Sequence, residues 1–320
     1  MDFRWSFTLQ LKFIMKKRKF STLISQLLFT KITYVFGFSI LLSFASSAQS
    51  KKVSTPKGID NWKLGLSLYT FSTMSFPEQL NYADSVGIKY VEGFTFAKAG
   101  ADLKDSLITN LSVSGIENLK ARIKRKGIKM ESIYITGGKT VALWKRDFEI
   151  AKRFEVKFVT AEPPKNMWDS VDSLAKVYGM KVALHNHWNG NSIYWHPDSV
   201  LAAINGHSSF GACPDLGHYP KSGINPLEAV KKLEGKIIGI HLKDIAEYNN
   251  ILLKDVIVGT GIIDFPAIFN ELKRQHFKGI INIERDTKEL PNNLNSVKQT
   301  VNYYYKTLKL SGPIFPQKER

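Results

Sequence analysis

Four stretches of the chain repeat one pattern of apolar and polar positions. VGIKYVEGF (86–94), KGIKMESIY (126–134), YGMKVALHN (178–186) and FKGIINIER (277–285) each set a glycine ahead of a short apolar run, often with a lysine beside it. A glycine just past a helix end is the expected C-cap, and a short β-rich run after it reads as a buried parallel strand. The segments ahead carry the longer period of an amphipathic helix instead: SGIENLKARIKRKG, MWDSVDSLAKVYG and FPAIFNELKRQHF.

Filling the gaps predicts strands at Leu64–Tyr69, Tyr90–Phe94, Lys129–Tyr134, Lys157–Thr160, Lys181–Leu184, Phe210–Cys213, Ile237–Ile240 and Gly279–Ile283, each followed by a helix or a long connection. Alternating strands and helices imply a parallel sheet. Eight such strands in about 250 residues suit a closed (β/α)8 TIM barrel. A doubly wound open sheet is the competitor, but no dinucleotide-type glycine fingerprint follows the first strand. The expected barrel is a single domain over residues 63–312, with a tail at 313–320 and a last helix near Ser296–Leu310. The segment NNILLKDV (249–256) is expected to be a lid or a simple loop.

In such a barrel the chemistry lies where the strands end. Strand four runs into Glu162, strand five into His185 and His187, strand six into Asp215 and His218. Strand seven runs into His241, Lys243 and Asp244, and strand eight into Glu284 and Asp286. Side chains at i and i+2 share a face of a strand. That parity groups Phe158, Thr160 and Glu162; Ala183, His185 and His187; Gly211, Cys213 and Asp215; Gly239, His241 and Lys243; and Asn282 with Glu284. Five neighbouring strands therefore aim Glu, His, Asp, His and Glu into one mouth. Carboxylates and imidazoles gathered in a partly dry mouth repel one another or lose charge unless a cation joins them. Mixed His/carboxylate ligation suits Mn²⁺, Co²⁺, Fe²⁺ or Zn²⁺ better than Ca²⁺, with Mg²⁺ also open.

The N-terminus changes the count of charge and the expected compartment. Residues 1–48 hold a basic cluster, Lys16-Lys17-Arg18-Lys19, then an apolar stretch ending YVFGFSILLSFASSA. This reads as a signal peptide cleaved after Ala48, possible starts being Met1 or Met15, with 49–62 as linker. A retained membrane anchor is the alternative. The expectation is a periplasmic or secreted protein that meets a membrane only through its leader. The lone Cys213 forms no internal disulfide, so stability must come from a core. Of the formal charge of +17, the leader's seven Lys/Arg and one Asp supply about a third, leaving about +11 spread along lysine-rich helices. That spread reads as a solvated basic surface rather than a nucleic-acid stripe, with weak attraction to acidic glycans or membrane surfaces as the alternative.

The HNH after strand five, the PDLGHY of strand six, and the HLKD of strand seven followed by VGTGIID resemble the xylose-isomerase-like barrel superfamily. It holds sugar isomerases and epimerases, inosose dehydratases and a group of apurinic endonucleases. The likeness runs from LGLSLYTF at 64 to INIERD at 284. The resemblance implies one divalent ion held by the ends of strands five to eight, which here are His185, Asp215, His241 and Glu284. The family carries a Glu at the strand-five position. With His185 there, Glu162 on the next strand is a substitute ligand or base. The endonuclease branch needs additional histidines from strands two and three, and none precedes His185; Glu92 and Glu131 would also oppose a phosphate backbone. The implied reaction removes a proton beside the carbonyl of a keto-sugar, with Glu162 or Glu284 as base and Lys243 stabilising negative charge. Isomerisation, epimerisation and β-elimination from a 3-keto-glycoside are its possible outcomes. His187 and His218 are candidates for substrate binding. Trp188, Tyr69, Phe71, Tyr194, Trp195 and Tyr219 are candidates for covering a sugar ring. A non-catalytic sugar-binding barrel is the alternative of a different class; it needs the aromatics but not the ionisable rim.

Overall fold

The computed structural model describes residue 59, residues 61–288 and residues 293–316. The expected leader (1–48), most of the linker and residues 317–320 of the tail lie outside the described residues. The main strands are β1 (Lys63–Ser67), β2 (Tyr90–Phe94), β3 (Lys129–Tyr134), β4 (Phe158–Ala161), β5 (Lys181–His185), β6 (Phe210–Cys213), β7 (Gly239–Leu242) and β10 (Ile280–Ile283). All neighbours pair in parallel, in the order β6-β5-β4-β3-β2-β1-β10-β7. Two parallel bridges, Ala212 with Ile237 and Asp215 with His241, join β6 to β7 and close the ring. The chain is thus an eight-stranded barrel, as the alternation predicts. β7 starts two residues later than expected, because Ile237 meets β6 only through its single bridge.

The α-helices among the described residues are α1 (Phe76–Ser85), α2 (Val113–Arg125), α3 (Val141–Arg153), α4 (Trp168–Tyr178), α5 (Pro197–Ile204), α6 (His218–Lys221), α7 (Pro226–Lys232), α8 (Phe265–Arg274) and α9 (Leu294–Thr307). In α2 the Ser112 hydroxyl accepts from the Gly115 amide, and Ile116, Leu119 and Ile123 form the buried face. Gly127 and Gly179 then end α2 and α4 with φ of 61° and 64°. The fourth repeat works differently. His276, not glycine, takes the left-handed turn after α8, at φ 53°. Gly279 instead opens the way into β10, where a Cβ would lie 2.5 Å from the Ile238 carbonyl oxygen.

Inside the ring, Phe158, Ala183, Cys213 and Ile280 pack with Tyr90 and Ile238 and fill the axis. The strands therefore form a floor on which the rim residues stand. Segment 249–256 joins a small hairpin, β8 (Asp244–Ile245) with β9 (Asp255–Val256) antiparallel. The Asp244 carboxylate turns into this loop, accepting from the amides of Ile245, Gly259 and Gly261, each at 2.9 Å. The HLKD and GTG motifs thus meet through one buried carboxylate, and Asp244 does not reach the mouth. Beyond the barrel, Asn302 pairs both ways with the Phe315 backbone, which lays residues up to 316 against α9. Among the described residues no helix is long and apolar enough to cross a membrane.

Candidate metal centre

Closing the ring between β6 and β7 sets Asp215 beside His241 in backbone register. β10 pairs with β7 on its other side, and β5 with β6, so His185 and Glu284 complete an arc of four adjacent strands. One ligand atom from each of His185, Asp215, His241 and Glu284 lies within 4.8 Å of the other three, and all four residues are buried. His185 Nε2 faces His241 Nδ1 at 3.1 Å and Asp215 Oδ2 at 3.6 Å. His241 Nδ1 is 2.6 Å from Glu284 Oε2.

Each imidazole has a carboxylate behind it. Glu92, on β2, meets His241 Nε2 at 2.7 Å and also accepts from the hydroxyls of Ser132 and Thr160. Glu162 Oε1 lies 3.2 Å from His185 Nδ1 and accepts from the Tyr134 hydroxyl, while its Oε2 accepts from the Ser192 hydroxyl. With the outer nitrogen of each ring donating to its carboxylate, the inner nitrogens turn lone pairs toward each other across 3.1 Å. For neutral rings a metal cation between the two nitrogens relieves that repulsion; without one a proton does, in keeping with the raised pKa of both histidines. Asp215 Oδ2, fully buried, receives no well-directed hydrogen bond although Lys243 Nζ is 2.7 Å away. These residues fit a divalent ion.

The electrostatics agree. Burial opposes a charged His185, but Asp215 and Glu162 outweigh it and raise its pKa to about 9. Burial likewise opposes charge on His241, and Glu284, Cys213 and Glu92 lift it well above the ordinary histidine value. The pocket draws positive charge. Glu284 is held well below the usual carboxylate range, burial opposing and His241 and Lys243 prevailing. Burial also opposes ionisation of Asp215, yet its positive neighbours keep it ionised. His218 is itself pushed neutral by burial, which leaves Lys243 and His185 in that role.

Lys243 is 1% exposed and pairs with Asp215 at 2.7 Å, Asp286 at 2.8 Å and Glu284 at 3.3 Å. Lys243 thus pairs with Glu284 and not with its neighbour Asp244. The glycine of PDLGHY makes room for it: a Cβ on Gly217 would lie 2.6 Å from Lys243 Cγ. The asparagine of HNH has its own task. Asn186 accepts from the Asp215 amide at 2.7 Å and donates to its carbonyl at 3.2 Å, pinning the end of β6.

Above the cluster opens a cleft of about 460 Å³, lined by Tyr69, Phe94, Phe96, Tyr134, His185, His187, Trp188, Lys221, Glu284 and Asp286 among others. Tyr69 and Trp188 stand on its walls, as the spacing predicts. Three of the other candidate aromatics pack beneath the loops instead. Phe71 is buried, stacked on Tyr82; Tyr194 is buried with its hydroxyl on the Pro163 carbonyl; Tyr219 is buried as well. His218 is fully buried beneath His187, ring on ring at 4.7 Å, and does not line the cleft. His187 does, with Nδ1 2.7 Å from Glu162. Glu162 stands outside the four-atom cluster and groups with His185 and His187 instead.

Glu92 was not singled out as a partner of the site by sequence reasoning. The signal was parity, since Tyr90 and Glu92 share the inner face of β2, but its contact with His241 spans 149 positions. Changing Glu92 to Gln is expected to weaken divalent-ion affinity about tenfold to a hundredfold while the fold persists. Competition with a fluorescent chelator reads this directly, and an unaltered affinity would remove Glu92 from the account.

Comparison with known proteins places this geometry. The model of the family described as xylose isomerase-like TIM barrel matches residues 80–307. An inosose dehydratase of Clostridium tetani is 23% identical over 231 residues, covering 63% of this chain and 76% of that protein. A crystal structure of an uncharacterised protein from Parabacteroides distasonis is 33% identical, with a TM-score of 0.62, covering 77% of this chain and 99% of that one. The IOLI protein, solved with a bound zinc atom, is 20% identical with a TM-score of 0.65, covering 77% of this chain and 98% of that one.

Proposed function

Because this chain belongs to the xylose isomerase-like TIM barrel family, we propose that it is a divalent-metal-dependent enzyme that removes a proton beside the carbonyl of a keto-sugar. The observation that carries the reading is the pair of carboxylate-backed imidazoles meeting Asp215 and Glu284 around one point. His185, Asp215, His241 and Glu284 would hold the ion. A bound divalent cation supplies Lewis-acid polarisation of a carbonyl.

The protein's own groups do the rest. Glu284 is ionised, lines the cleft and presents Oε1 within 3.3 Å of Lys243. It is the candidate base for the carbon next to the carbonyl. Lys243 keeps the local charge balanced as Glu284 gains the proton, and can supply a proton to an oxygen that gains charge. Tyr69 and Trp188 offer flat faces to the ring and help exclude water. Glu162 and Glu92 orient the two imidazoles.

Elimination is the second reading, and it has its own support. His185 stands where two-carboxylate epimerisation needs a second acid, so one carboxylate base remains at the centre itself. The curated relative is named a dehydratase. A 3-keto-glycoside or keto-sugar losing a β-substituent needs one such base. Both outcomes share the first step, which is what an experiment can read. Metal-replete protein incubated in D₂O with ketoses and 3-keto-glycosides is expected to place deuterium on the α-carbon, and Glu284→Gln to stop it. No incorporation from any of these sugars would end the proton-transfer proposal.

Export belongs to the proposal. The basic cluster and apolar run of residues 16–48 support it; the check is the intact mass of the exported chain, expected to begin at Gln49.

A further inference from the structure

Three lysines surround the mouth, and two of them have their partners. Lys243 is held by Asp215, Glu284 and Asp286. Lys288, exposed at the rim, donates to the Tyr69 carbonyl at 3.1 Å and lies 4.1 Å over the Tyr69 ring. Lys221 differs from both. It is only 8% exposed and lines the cleft with His185 and Glu284, yet among the described residues no carboxylate lies within 4 Å of its ammonium and no acceptor is hydrogen-bonded to it.

Its position is built rather than loose. Lys221 closes the short α6, whose Tyr219 is buried at the barrel top. The next residue, Ser222, accepts from the Asn189 amide at 2.8 Å, which ties this turn to the loop bearing Trp188. The Lys221 ammonium sits 4.6 Å from the centre of the Trp188 ring. An aromatic face attracts a cation but does not neutralise it. Most of the side chain is covered, which lowers the pKa of this amine, while the ammonium itself opens on the cleft; a charge held in a partly desolvated cleft favours an anion there.

Asp286, the nearest anion by its electrostatic effect on Lys221, is already engaged by Lys243. The ammonium is thus left facing the cleft, where a ligand's own anion is placed to meet it. A sugar hydroxyl accepts a hydrogen bond but leaves the charge standing; an oxyanion answers both needs. Building on the keto-sugar reading, we infer that Lys221 recognises an oxyanion on the substrate, so that the enzyme acts on an acidic keto-sugar rather than a neutral one. A carboxylate and a phosphate share this chemistry. The cleft's volume of about 460 Å³ suits one sugar ring with such a group.

The test is a matched series: D-fructose, D-fructuronate and D-fructose 6-phosphate, titrated calorimetrically into metal-replete wild type, Lys221→Met and Lys221→Arg. Methionine keeps an apolar stem on Trp188 and drops the charge; arginine keeps the charge. Wild type is expected to bind at least one acid roughly tenfold or more tightly than D-fructose. Lys221→Met should collapse that ratio toward one and Lys221→Arg should retain most of it. Retained metal content in both variants certifies the site. If D-fructuronate alone shows the Lys221-dependent gain, the oxyanion is a carboxylate; if only the phosphate does, it is a phosphoryl group. Equal affinity for acid and neutral sugar in wild type, or an acid preference that survives Lys221→Met, overturns the assignment. Binding is read without turnover, so lack of deuterium exchange with an acid that binds through Lys221 would count against the reaction and leave the recognition standing.

Discussion

Asp215→Ala is expected to lose both the bound ion and the proton exchange: metal per chain by elemental analysis should fall below about a tenth, and exchange by on the order of a thousandfold or more, matching the several kcal/mol that a Lewis acid contributes. The reasoning starts from the two oxygens of this carboxylate. Oδ1 accepts from the Gly217 and His218 amides at 2.9 and 3.2 Å and so shapes the turn after β6. Oδ2 faces the two imidazoles and Lys243, with no directed hydrogen bond of its own. Alanine removes both tasks, so Asp215→Asn is the companion variant. Its amide oxygen can still cap the turn, while the charge facing the cluster is gone. Loss of metal in both variants, with Asn keeping the fold, locates the effect in Oδ2. The same variants separate an enzyme from a non-catalytic sugar-binding barrel, which would keep most of its sugar affinity after either change. Metal content and exchange near wild type in Asp215→Asn would sink the four-residue centre.

Much of this arrangement was legible in the sequence because two periodicities are strong here. Period-two alternation places Asp215, His241 and Glu284 on inward faces, and the glycine-strand repeat marks four of the eight strands and sets the spacing for the rest. Eight strands in sequence order leave a closed ring as the compact answer, and a ring brings strands five to eight side by side. What stayed hidden depended on contacts rather than on pattern. Glu92 looks like any strand glutamate until a register shift in β2–β3 sets it opposite Ser132 and beneath His241. Lys221 reads as a solvated helix-end lysine, and its burial under Trp188 follows from a loop-to-turn hydrogen bond that no local rule encodes. Tyr194 and His218 failed in the opposite sense. Both follow strand ends, but loops fold back over the rim, and proximity in sequence to the mouth does not decide which rings face it. Asp244 shows the same limit: strand seven delivers Lys243 inward and Asp244 outward, where the GTG loop supplies amides enough to hold it.

Replacing Lys243 by methionine is expected to be strongly destabilising in the metal-free protein. Its ammonium is 1% exposed and faces Asp215, Glu284 and Asp286. Removing the cation leaves two buried carboxylates and one partly exposed one to repel each other, and unpairing a buried ion pair costs about 3–5 kcal/mol. For a domain of this size that is a fall in Tm of roughly 10 °C. Methionine fills much of the space beside Gly217, so the loss is chiefly one of charge rather than of packing. A divalent ion binds the same carboxylates, and any ligand that binds only the folded state raises stability with its concentration. The metal-replete variant should therefore recover a larger increment of Tm than wild type gains from the same ion. Two thermal scans, chelated and metal-loaded, for each protein decide it. A chelated Lys243→Met as stable as chelated wild type would mean that these carboxylates do not rely on the lysine for their charge. An equal metal increment in both proteins would mean that lysine and ion do not compensate the same charges, and the electrostatic account of the mouth would have to be rebuilt without Lys243.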